Sequence, residues 1–584
     1  MRIRYLFSSA SWSAIGINTL LTCALFLFVP AMPQNAAGQS PPKPYSPDEI
    51  QRLGQRMYRE GILPSGESME SVVKGDIIVP GTSFTCVSCH MLSGLGSIEG
   101  GVITIPTNGK SLYNPRKPPK GIRSSMSSMG FDKFQPPPPP APARPAYTDE
   151  SLASTLRGGL DPSGRVLDPV MPRYKLSDRD MAVMIEYLKS LSSSYSPGID
   201  DQTMRFATVV SEDVPPELRD QQAALLEKLL YRMNEQARDF DKRLKNPKLS
   251  RHISKTGRMV HRNLTLSRWI LKGAPETWKA QLEEYYRREP VFALLGGIAN
   301  GDWKPVHDFS ESNRIPCLFP QTEFPVVSDA NSYTFYLSKG HYQEGEAAAW
   351  FINRNTDAAK TRAVVQILRE TREGSALSTG FEEAWRNLGQ SPPQTVRLKP
   401  GEPVNFEKLE KLIAKEQPTT LLIWDGAESI SLLESIADMK NMPEAVFISS
   451  GSLGKKTSAL PDNIRDITYI THPYRLPQDE AQLEEFYLGK AVSNGIESSD
   501  IRGIMKRTYP LNRILIQALS EMKENFHRDY LLDIVSMSKD LDVPLYERLS
   551  FGPGQRYASK GCYIVQLSKG DNPSFIKMSD WVTH

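Results

Sequence analysis

Residues 291–297 read VFALLGG, which is five apolar residues followed by two glycines. A short apolar run that ends in a turn signal is typical of a strand buried on both faces of a parallel sheet. Similar runs occur before and after it, with helical stretches between them. Because strands that alternate with helices build parallel sheets, this part of the chain is predicted to be an α/β structure.

The alternating pattern occurs twice within residues 204–584. We therefore expect two lobes, each with its own parallel sheet, and in such sheets ligands lie beyond the carboxyl ends of the strands. The predicted strands cover residues 204–211, 264–271, 291–295 and 315–319 in the first half, and residues 362–367, 394–398, 421–424 and 445–449 in the second.

The same region resembles the type 1 periplasmic binding proteins, and among them the branched-chain amino-acid-binding branch. The resemblance implies two lobes that close on a ligand by hinge motion. It rests on the run FALLG at residues 292–296, on Ile315-Pro316, on Gly345 and the Ala-rich helix around it, on Gly374, Phe381 and Gly389, and on the run GCYIVQL at residues 561–567.

The loops after the predicted strands differ from those of the amino-acid binders. Where those proteins usually offer a Ser-rich loop to the ligand carboxylate, this chain has Asp302, Trp303, Thr322 and Glu323 in its two candidate cleft loops. Because acidic side chains repel a carboxylate, an ordinary amino-acid ligand is not expected. The residues predict either a cationic or aromatic ligand held by Trp303 and the acids, or a lobe pair kept as a scaffold.

A second informative stretch, residues 86–90, reads CVSCH. Cys-x-x-Cys-His is the attachment pattern of a c-type haem, in which two thiols add to the vinyl groups and the histidine becomes an iron ligand. A redox pair or half of a zinc site are the alternatives, but a zinc site usually needs a second cysteine pair, which the sequence lacks. The pattern predicts one covalent haem c on Cys86 and Cys89, with His90 on the iron.

The surroundings of this motif resemble class I cytochrome c. A predicted helix from residue 46 precedes the motif, and a long loop, a Met-Pro segment and a helix from residue 177 to about 191 follow it. The resemblance implies an all-α cytochrome c domain over residues 44–193 with Met171 as the second axial ligand. It thus predicts a multidomain chain in which this domain precedes a two-lobed α/β domain.

Two details of the resemblance can be checked in a structure. It implies that Gly54 and Tyr58 pack against Tyr187 where the first and last helices cross. Met126 and Met129 lie in a Pro-rich insertion between the motif and the last helix, and either could compete with Met171 for the iron.

The first 38 residues look like an export segment. Arg2 and Arg4 precede an apolar stretch from about residue 14 to residue 32, and small residues follow. This order is typical of a cleaved signal peptide, and an uncleaved membrane anchor is the alternative. Both interpretations predict an exported, periplasmic protein, which agrees with haem attachment on that side of the membrane.

Composition and motifs point away from nucleic-acid binding and from catalysis. The 584 residues carry a net charge of only +3, and the sequence contains no nucleophile elbow, phosphate-binding loop or pair of catalytic carboxylates. The scattered histidines show no metal-ligand spacing, although His307 or His341 could line the cleft. Residues 194–203, which begin within the Ser-rich run SSSYSPG at residues 192–198, are predicted to be a hinge-like linker between the two domains.

The sequence therefore predicts an exported c-type cytochrome that is not itself an enzyme. It would carry single electrons through a His/Met-ligated haem and exchange them with redox partner proteins, while its second domain binds a small molecule or a partner. Two alternatives remain open. The chain could be a solute-binding or sensory protein with an accessory haem, or the electron-accepting subunit of a dehydrogenase complex.

Overall fold

The computed structural model describes residues 45–99, 102–117, 141–245, 262–328, 330, 332–355, 363–416, 419–454, 460–488, 499–552 and 554–583. The predicted export segment, Met126 and Met129 lie outside the described residues. The chain divides into two compact units, Met1–Pro47 and Asp48–His584, and the contacts discussed below lie within the second. No helix in the described ranges has both the length and the apolar character needed to span a bilayer.

The N-terminal domain is framed by two long helices. Thr148 and Ser177 begin its later helices, where their hydroxyls accept hydrogen bonds from backbone N–H groups that would otherwise lack a partner. The helices are α1 (Pro47–Glu60), α2 (Val87–His90), α3 (Gly109–Leu112), α4 (Asp149–Gly158) and α5 (Asp178–Ser190), and the strands are β1 (Glu70–Val73), β2 (Ile77–Pro80), β3 (Ile98–Glu99), β4 (Val102–Ile103) and β5 (Arg173–Lys175).

Helices α1 and α5 cross at Gly54. A side chain at this position would overlap Tyr187 Cβ and lie 2.9 Å from Tyr187 Cγ, so only glycine allows the two helices to approach this closely. The rings of Tyr58 and Tyr187 pack beside the crossing, with centroids 5.6 Å apart. The packing implied by the resemblance to cytochrome c is confirmed.

The prediction of an all-α domain is wrong in one respect. Strands β1, β2 and β5 form an antiparallel sheet in the order β2-β1-β5. The runs ESVV and IIVP are rich in β-branched residues and are joined by a short turn that contains Gly75 and Asp76, both at positive φ. These features favour a hairpin over a helix.

The first lobe has a five-stranded parallel sheet in the order β10-β9-β8-β6-β7. The apolar run at residues 291–297 contains β8, whose residues are completely buried in the sheet, as predicted. The elements are β6 (Thr203–Ser211), α6 (Pro216–Lys245), β7 (Asn263–Leu271), α7 (Trp278–Arg288), β8 (Ala293–Leu295), α8 (Lys304–Asn313), β9 (Cys317–Leu318) and β10 (Thr334–Phe335).

The second lobe has a larger sheet in the order β12-β11-β13-β14-β15-β16-β17, parallel up to β15 and antiparallel beyond it. Gly345 lets its two main helices touch, because a side chain there would lie 2.7 Å from the backbone nitrogen of Phe381. The elements are α9 (His341–Asn355), β11 (Ala363–Arg369), α10 (Arg372–Asn387), β12 (Gln394–Leu398), α11 (Phe406–Lys415), β13 (Thr419–Trp424), α12 (Ser429–Ala437), β14 (Ala445–Ser449), α13 (Ser450–Leu453), α14 (Asp462–Arg465), β15 (Thr468–His472), α15 (Pro477–Leu488), α16 (Ser499–Met522), α17 (Arg528–Ser536), β16 (Gly561–Leu567), β17 (Phe575–Lys577) and β18 (Val582–Thr583).

All eight predicted strands are present, but the simple succession of two lobes is not. Helices α16 and α17 return to the first lobe, where Leu511, Leu515 and Leu531 join the same core as Phe206 and Leu226. Strands β16, β17 and β18 then complete the second lobe. The chain therefore passes between the lobes more than once, and these crossings form the hinge region.

The segment predicted as a hinge-like linker is bound to the first lobe. The N–H of Ser196 donates to Phe526 O at 3.2 Å, and its hydroxyl accepts from Arg528 N at 2.9 Å. The ring of Tyr195 packs edge-on against Phe526 at 5.7 Å. The Ser-rich composition predicted flexibility, but these hydrogen bonds hold the segment in place.

Candidate functional site

The Cys86–His90 segment forms a single helical turn that brings its reactive side chains to one face. Cys86 begins the turn, and the N–H of His90 donates to Cys86 O at 2.9 Å. Positions i, i+3 and i+4 of a helical turn lie on the same side, so Cys86, Cys89 and His90 project together. This is the spacing that two thioether bonds and one iron ligand from a single segment require.

The His90 ring is held in the orientation that suits an iron ligand. Its Nδ1 lies 2.9 Å from Ile105 O. A carbonyl oxygen only accepts hydrogen bonds, so Nδ1 carries the hydrogen and Nε2 keeps a free electron pair for a metal. Burial lowers the pKa of His90 to about 4, so the ring is neutral at physiological pH.

Two tyrosines fasten the motif from either side. Tyr58 on α1 donates to Met91 O at 2.9 Å, directly after the motif. Tyr174 on β5 donates to Phe84 O at 2.9 Å, two residues before Cys86. Because Tyr174 follows Met171 by three residues, this second bond brings the Met171 segment next to the Cys86 segment.

Met171 lies in a short turn before β5. Its N–H donates to Asp168 O at 3.0 Å, and the guanidinium of Arg173 donates to Met171 O and, at 2.7 Å, to Leu167 O. The neighbouring Val170 exposes 63% of its surface. The chemistry of this donor set, one imidazole, one thioether and two thiols beside exposed apolar side chains, fits a haem, and Met171 as the second ligand remains a prediction.

The described part of the chain contains no group of three or more His, Cys, Asp or Glu side chains arranged to hold a metal ion. Its four cysteines are not joined in disulfides.

Trp303 does not face the predicted cleft. It is 1% exposed and belongs to a core cluster of the first lobe, with its ring against Gly297. The indole therefore cannot stack on a ligand, and its predicted role is wrong. The sequence placed Trp303 in the correct loop but could not indicate that the start of α8 turns it inward.

Asp302 is paired across the lobes. Its carboxylate lies 3.8 Å from the guanidinium of Arg372, which begins α10 of the second lobe. The same guanidinium lies 4.4 Å from the centroid of Phe324 in the first lobe. Asp302, which was predicted to hold a cationic ligand, therefore contacts an arginine of the chain itself.

Glu323 is also neutralised within the protein. Arg507 on α16 donates to its carboxylate at 2.5 Å, and the Tyr474 hydroxyl lies 3.4 Å away. Thr322 accepts a hydrogen bond from Phe324 N at 3.0 Å. The cavity beside them has a volume of about 10 Å³, which is room for about one water molecule. Because Arg507 balances the charge of Glu323, this loop does not present the uncompensated negative charge that was expected to repel a carboxylate.

A cluster around His341 emerges from the structure. His341 Nδ1 lies 3.1 Å from Glu344, whose other oxygen accepts from Thr471 at 2.8 Å. Burial opposes charge on the ring, but the Glu344 hydrogen bond and the carboxylates of Glu373 and Glu323 outweigh it and raise the pKa of His341 to about 9. Burial also raises the pKa of Glu373.

His307, the other histidine considered for the cleft, is buried in the first lobe. His307 is 3% exposed, and its Nδ1 lies 3.0 Å from the Tyr336 hydroxyl inside the first lobe. His341 instead lies at the first turn of α9, where the chain enters the second lobe. Of the two candidates, His341 faces the region where the lobes meet.

Charged residues at the ends of the second-lobe strands were missed by the sequence analysis. Arg369 ends β11 and forms a buried ion pair with Asp425, which follows β13. It also lies 2.8 Å from Glu428. A polar residue directly after an apolar strand was the available signal, because the carboxyl ends of parallel strands form the ligand side of such sheets.

Solved structures similar to this chain include proteins of ABC transport systems. They include a putative branched-chain amino acid ABC transporter protein from Rhodospirillum rubrum, at 14% identity over 64% of this chain and 100% of that chain, with a TM-score of 0.47. A branched-chain amino acid ABC transporter protein from Thermus thermophilus with bound valine is 13% identical over 66% of this chain and 97% of that chain, with a TM-score of 0.44.

No curated protein matches the chain. The family model of the periplasmic binding proteins matches residues 271–567, just over half of the sequence. This range covers most of both lobes, including the loops that carry Asp302, Glu323, Arg372 and Asp425. The chain therefore belongs to the periplasmic binding protein family.

Proposed function

We propose that this chain is an exported solute-binding protein whose N-terminal domain carries a covalently attached haem c. Family membership supports the solute-binding half of the proposal. The haem half rests on one observation above all: Cys86, Cys89 and His90 share one face of a helical turn, and Ile105 O orients the imidazole. The sequence favoured a cytochrome with an additional binding domain. The proposal instead takes solute binding as the main function and the haem as an accessory group.

The residues that would hold the haem are Cys86 and Cys89 through thioether bonds, and His90 and Met171 as axial ligands. When bound, this group supplies a one-electron couple, and a thioether ligand shifts that couple to higher potential. The Ile105 carbonyl keeps His90 in the right tautomer, and the turn before β5 presents Met171. We expect single electrons to pass to or from a redox partner protein.

A spectrum tests the axial ligands. A weak near-infrared band typical of sulfur–iron ligation is expected in the oxidised full-length protein and should disappear in Met171→Ala. Met578→Ala removes an exposed methionine near the end of the chain and should leave the band unchanged. A band that survives Met171→Ala would move the ligand to Met126 or Met129, and an open sixth position in the wild type would contradict electron transfer of this kind.

The charges of the cleft favour an uncharged or zwitterionic solute. Asp302 faces Arg372, Glu323 faces Arg507, and Glu344 faces protonated His341. Each of these three acids has a basic neighbour, and burial raises the pKa of the fourth acid, Glu373, which favours its neutral form, so an added cation would find little uncompensated charge. The proposal replaces the cationic ligand inferred from the sequence.

Thermal-shift measurements test the solute class. Zwitterionic amino acids and uncharged aromatic compounds should raise the melting temperature, whereas simple amines should not. The shift should shrink in His341→Asn and persist in His307→Asn where that variant folds. A larger shift with amines would restore the cationic ligand, and no shift with any compound would favour the scaffold interpretation.

A second candidate function is the electron-accepting subunit of a dehydrogenase complex. One observation favours it: the N-terminal domain exposes apolar side chains that a partner protein would cover. Ile77, Ile78, Phe84, Val166 and Val170 are each between 42% and 73% exposed. Co-purification of a dehydrogenase that reduces the haem directly would support this candidate over the first.

A further inference from the structure

We infer that Asp533, in the binding domain, is a positioning residue for the haem-attachment turn of the N-terminal domain. The inference rests on the proposed haem attachment and goes further, because it assigns control of the haem site to a residue of the other domain. It is carried by the contacts between helix α17 and the loop after His90.

Both oxygens of the Asp533 carboxylate accept backbone hydrogen bonds from this loop. Leu92 N donates to one oxygen at 3.0 Å, and Ser93 N donates to the other at 2.9 Å. Asp533 is 3% exposed, so water does not compete for these bonds. A carboxylate that receives two consecutive N–H groups fixes the direction of the backbone as well as its position.

The loop is also held from within its own domain, where the Tyr58 hydroxyl donates to Met91 O at 2.9 Å. Met91 directly follows His90 and has a φ of 64°, a backbone conformation that costs free energy outside glycine. The hydroxyl of Ser192 donates to Ser93 O at 2.8 Å, and Leu92 packs against the core of the first lobe. The strained turn beside the iron ligand is therefore held from both domains, and Asp533 is the acceptor for its Leu92 and Ser93 N–H groups.

Helix α17 is itself anchored to the first lobe. Arg528 at its start donates to Phe292 O at 3.0 Å and to Val291 O at 2.5 Å, at the amino end of β8. Asp529 lies 2.7 Å from Arg59 of α1 and accepts from the Tyr333 hydroxyl at 2.9 Å. Asp533 is thus placed against the haem loop by the same strands whose opposite ends form the solute cleft.

The chemical consequence concerns the orientation of His90 and the local charge. Two residues separate His90 from Ser93, so a change in the direction of the Leu92 and Ser93 N–H groups turns the imidazole. Burial raises the pKa of Asp533 to about 7, so above that pH its carboxylate is a buried negative charge beside the haem loop, and such a charge near an iron centre favours the oxidised form. Loss of Asp533 should therefore shift the midpoint potential. A substitution at the domain contact that does not touch the haem loop should leave the midpoint potential unchanged.

The decisive variant is Asp533→Asn, measured by spectroelectrochemical titration of the full-length haem-loaded protein. We expect a more positive midpoint potential and a changed near-infrared band. Gln55→Ala is the matched control, because Gln55 accepts from Arg314 at 2.7 Å across the same domain contact without touching the haem loop. Its potential and band should equal those of the wild type.

Two outcomes would overturn the inference. One is an Asp533→Asn protein with covalent haem and a wild-type potential, and the other is an equal shift in both variants. A wild-type protein without covalent haem would instead contradict the proposed function itself, so the two failures are distinguishable.

A second measurement needs no variant. In the wild type, the amides of Leu92 and Ser93 should be protected from hydrogen exchange to the same degree as those of β8, because Asp533 holds them. Exchange of both amides at the rate of an exposed loop would overturn the inference, even if Asp533→Asn fails to fold.

Discussion

At the scale of single residues, two short-range contacts determine the geometry of the N-terminal domain. Gly54 allows α1 and α5 to cross, and the Ile105 carbonyl selects the tautomer of His90. Both positions follow from local geometry rather than from composition. The Gly54 contact was foreseeable because the order of helix, motif and helix matches a known family, whereas the Ile105 contact depends on a loop whose path no sequence pattern indicates.

Gly54→Ala should destabilise the N-terminal domain by about 1–3 kcal/mol, because the added methyl group overlaps Tyr187 and the helices must separate. Chemical unfolding followed by circular dichroism measures the loss. Gly503→Ala is the control: it also lies in a helix but has open space around it, so it should be neutral or add about 0.5–1 kcal/mol. An undiminished free energy of unfolding in Gly54→Ala would contradict the crossing.

His341 should make the stability of the protein dependent on pH. Its folded-state pKa of about 9 lies above the ordinary value of 6.5, so the folded state binds the proton more tightly than the unfolded chain does. The stability that this proton contributes is fully present below pH 6.5 and is lost as the pH rises through 9. The difference in melting temperature between the wild type and His341→Asn should therefore shrink over that range, and a difference independent of pH would argue against the His341–Glu344 pair.

At the scale of elements, helix α17 contacts both the N-terminal domain and the first lobe. Sequence patterns predicted the strands well, since apolar runs such as 291–295 identify buried strands wherever they pack. They did not predict that α16 and α17 return to the first lobe, because helical spacing of apolar residues indicates a buried face but not the sheet that covers it. For the same reason, Trp303 was predicted to lie in a cleft and is found in a core.

Asp529→Asn should cost roughly 3 kcal/mol of stability, because it leaves the largely buried guanidinium of Arg59 without its carboxylate. Limited proteolysis should then cleave the Ser-rich linker faster. Asp308→Asn breaks an exposed ion pair with Lys304 within one helix and should cost at most about 0.5 kcal/mol. Equal behaviour of the two variants would mean that α17 does not hold the domains together.

At the scale of the whole molecule, the chain combines two lobes with an N-terminal domain that contacts helix α17. Arg372 joins the lobes by lying beside both Asp302 and Phe324. Arg372→Ala should therefore increase the radius of gyration in the absence of solute, as measured by small-angle X-ray scattering. Arg386→Ala, in the last turn of the same helix, should leave it unchanged, and an unchanged radius in both variants would remove Arg372 as a contact that limits opening.

The central proposal for this protein is that one chain combines a covalent haem with a periplasmic binding protein. The most direct test is the intact mass of the purified, exported protein, compared with that of a Cys86→Ala/Cys89→Ala variant. The account predicts that the denatured wild type is heavier than its polypeptide by one haem and that the double variant has the mass of the polypeptide alone. A wild-type protein that loses all haem on denaturation, or never carries it, would contradict the account and leave a solute-binding protein with an unexplained N-terminal domain.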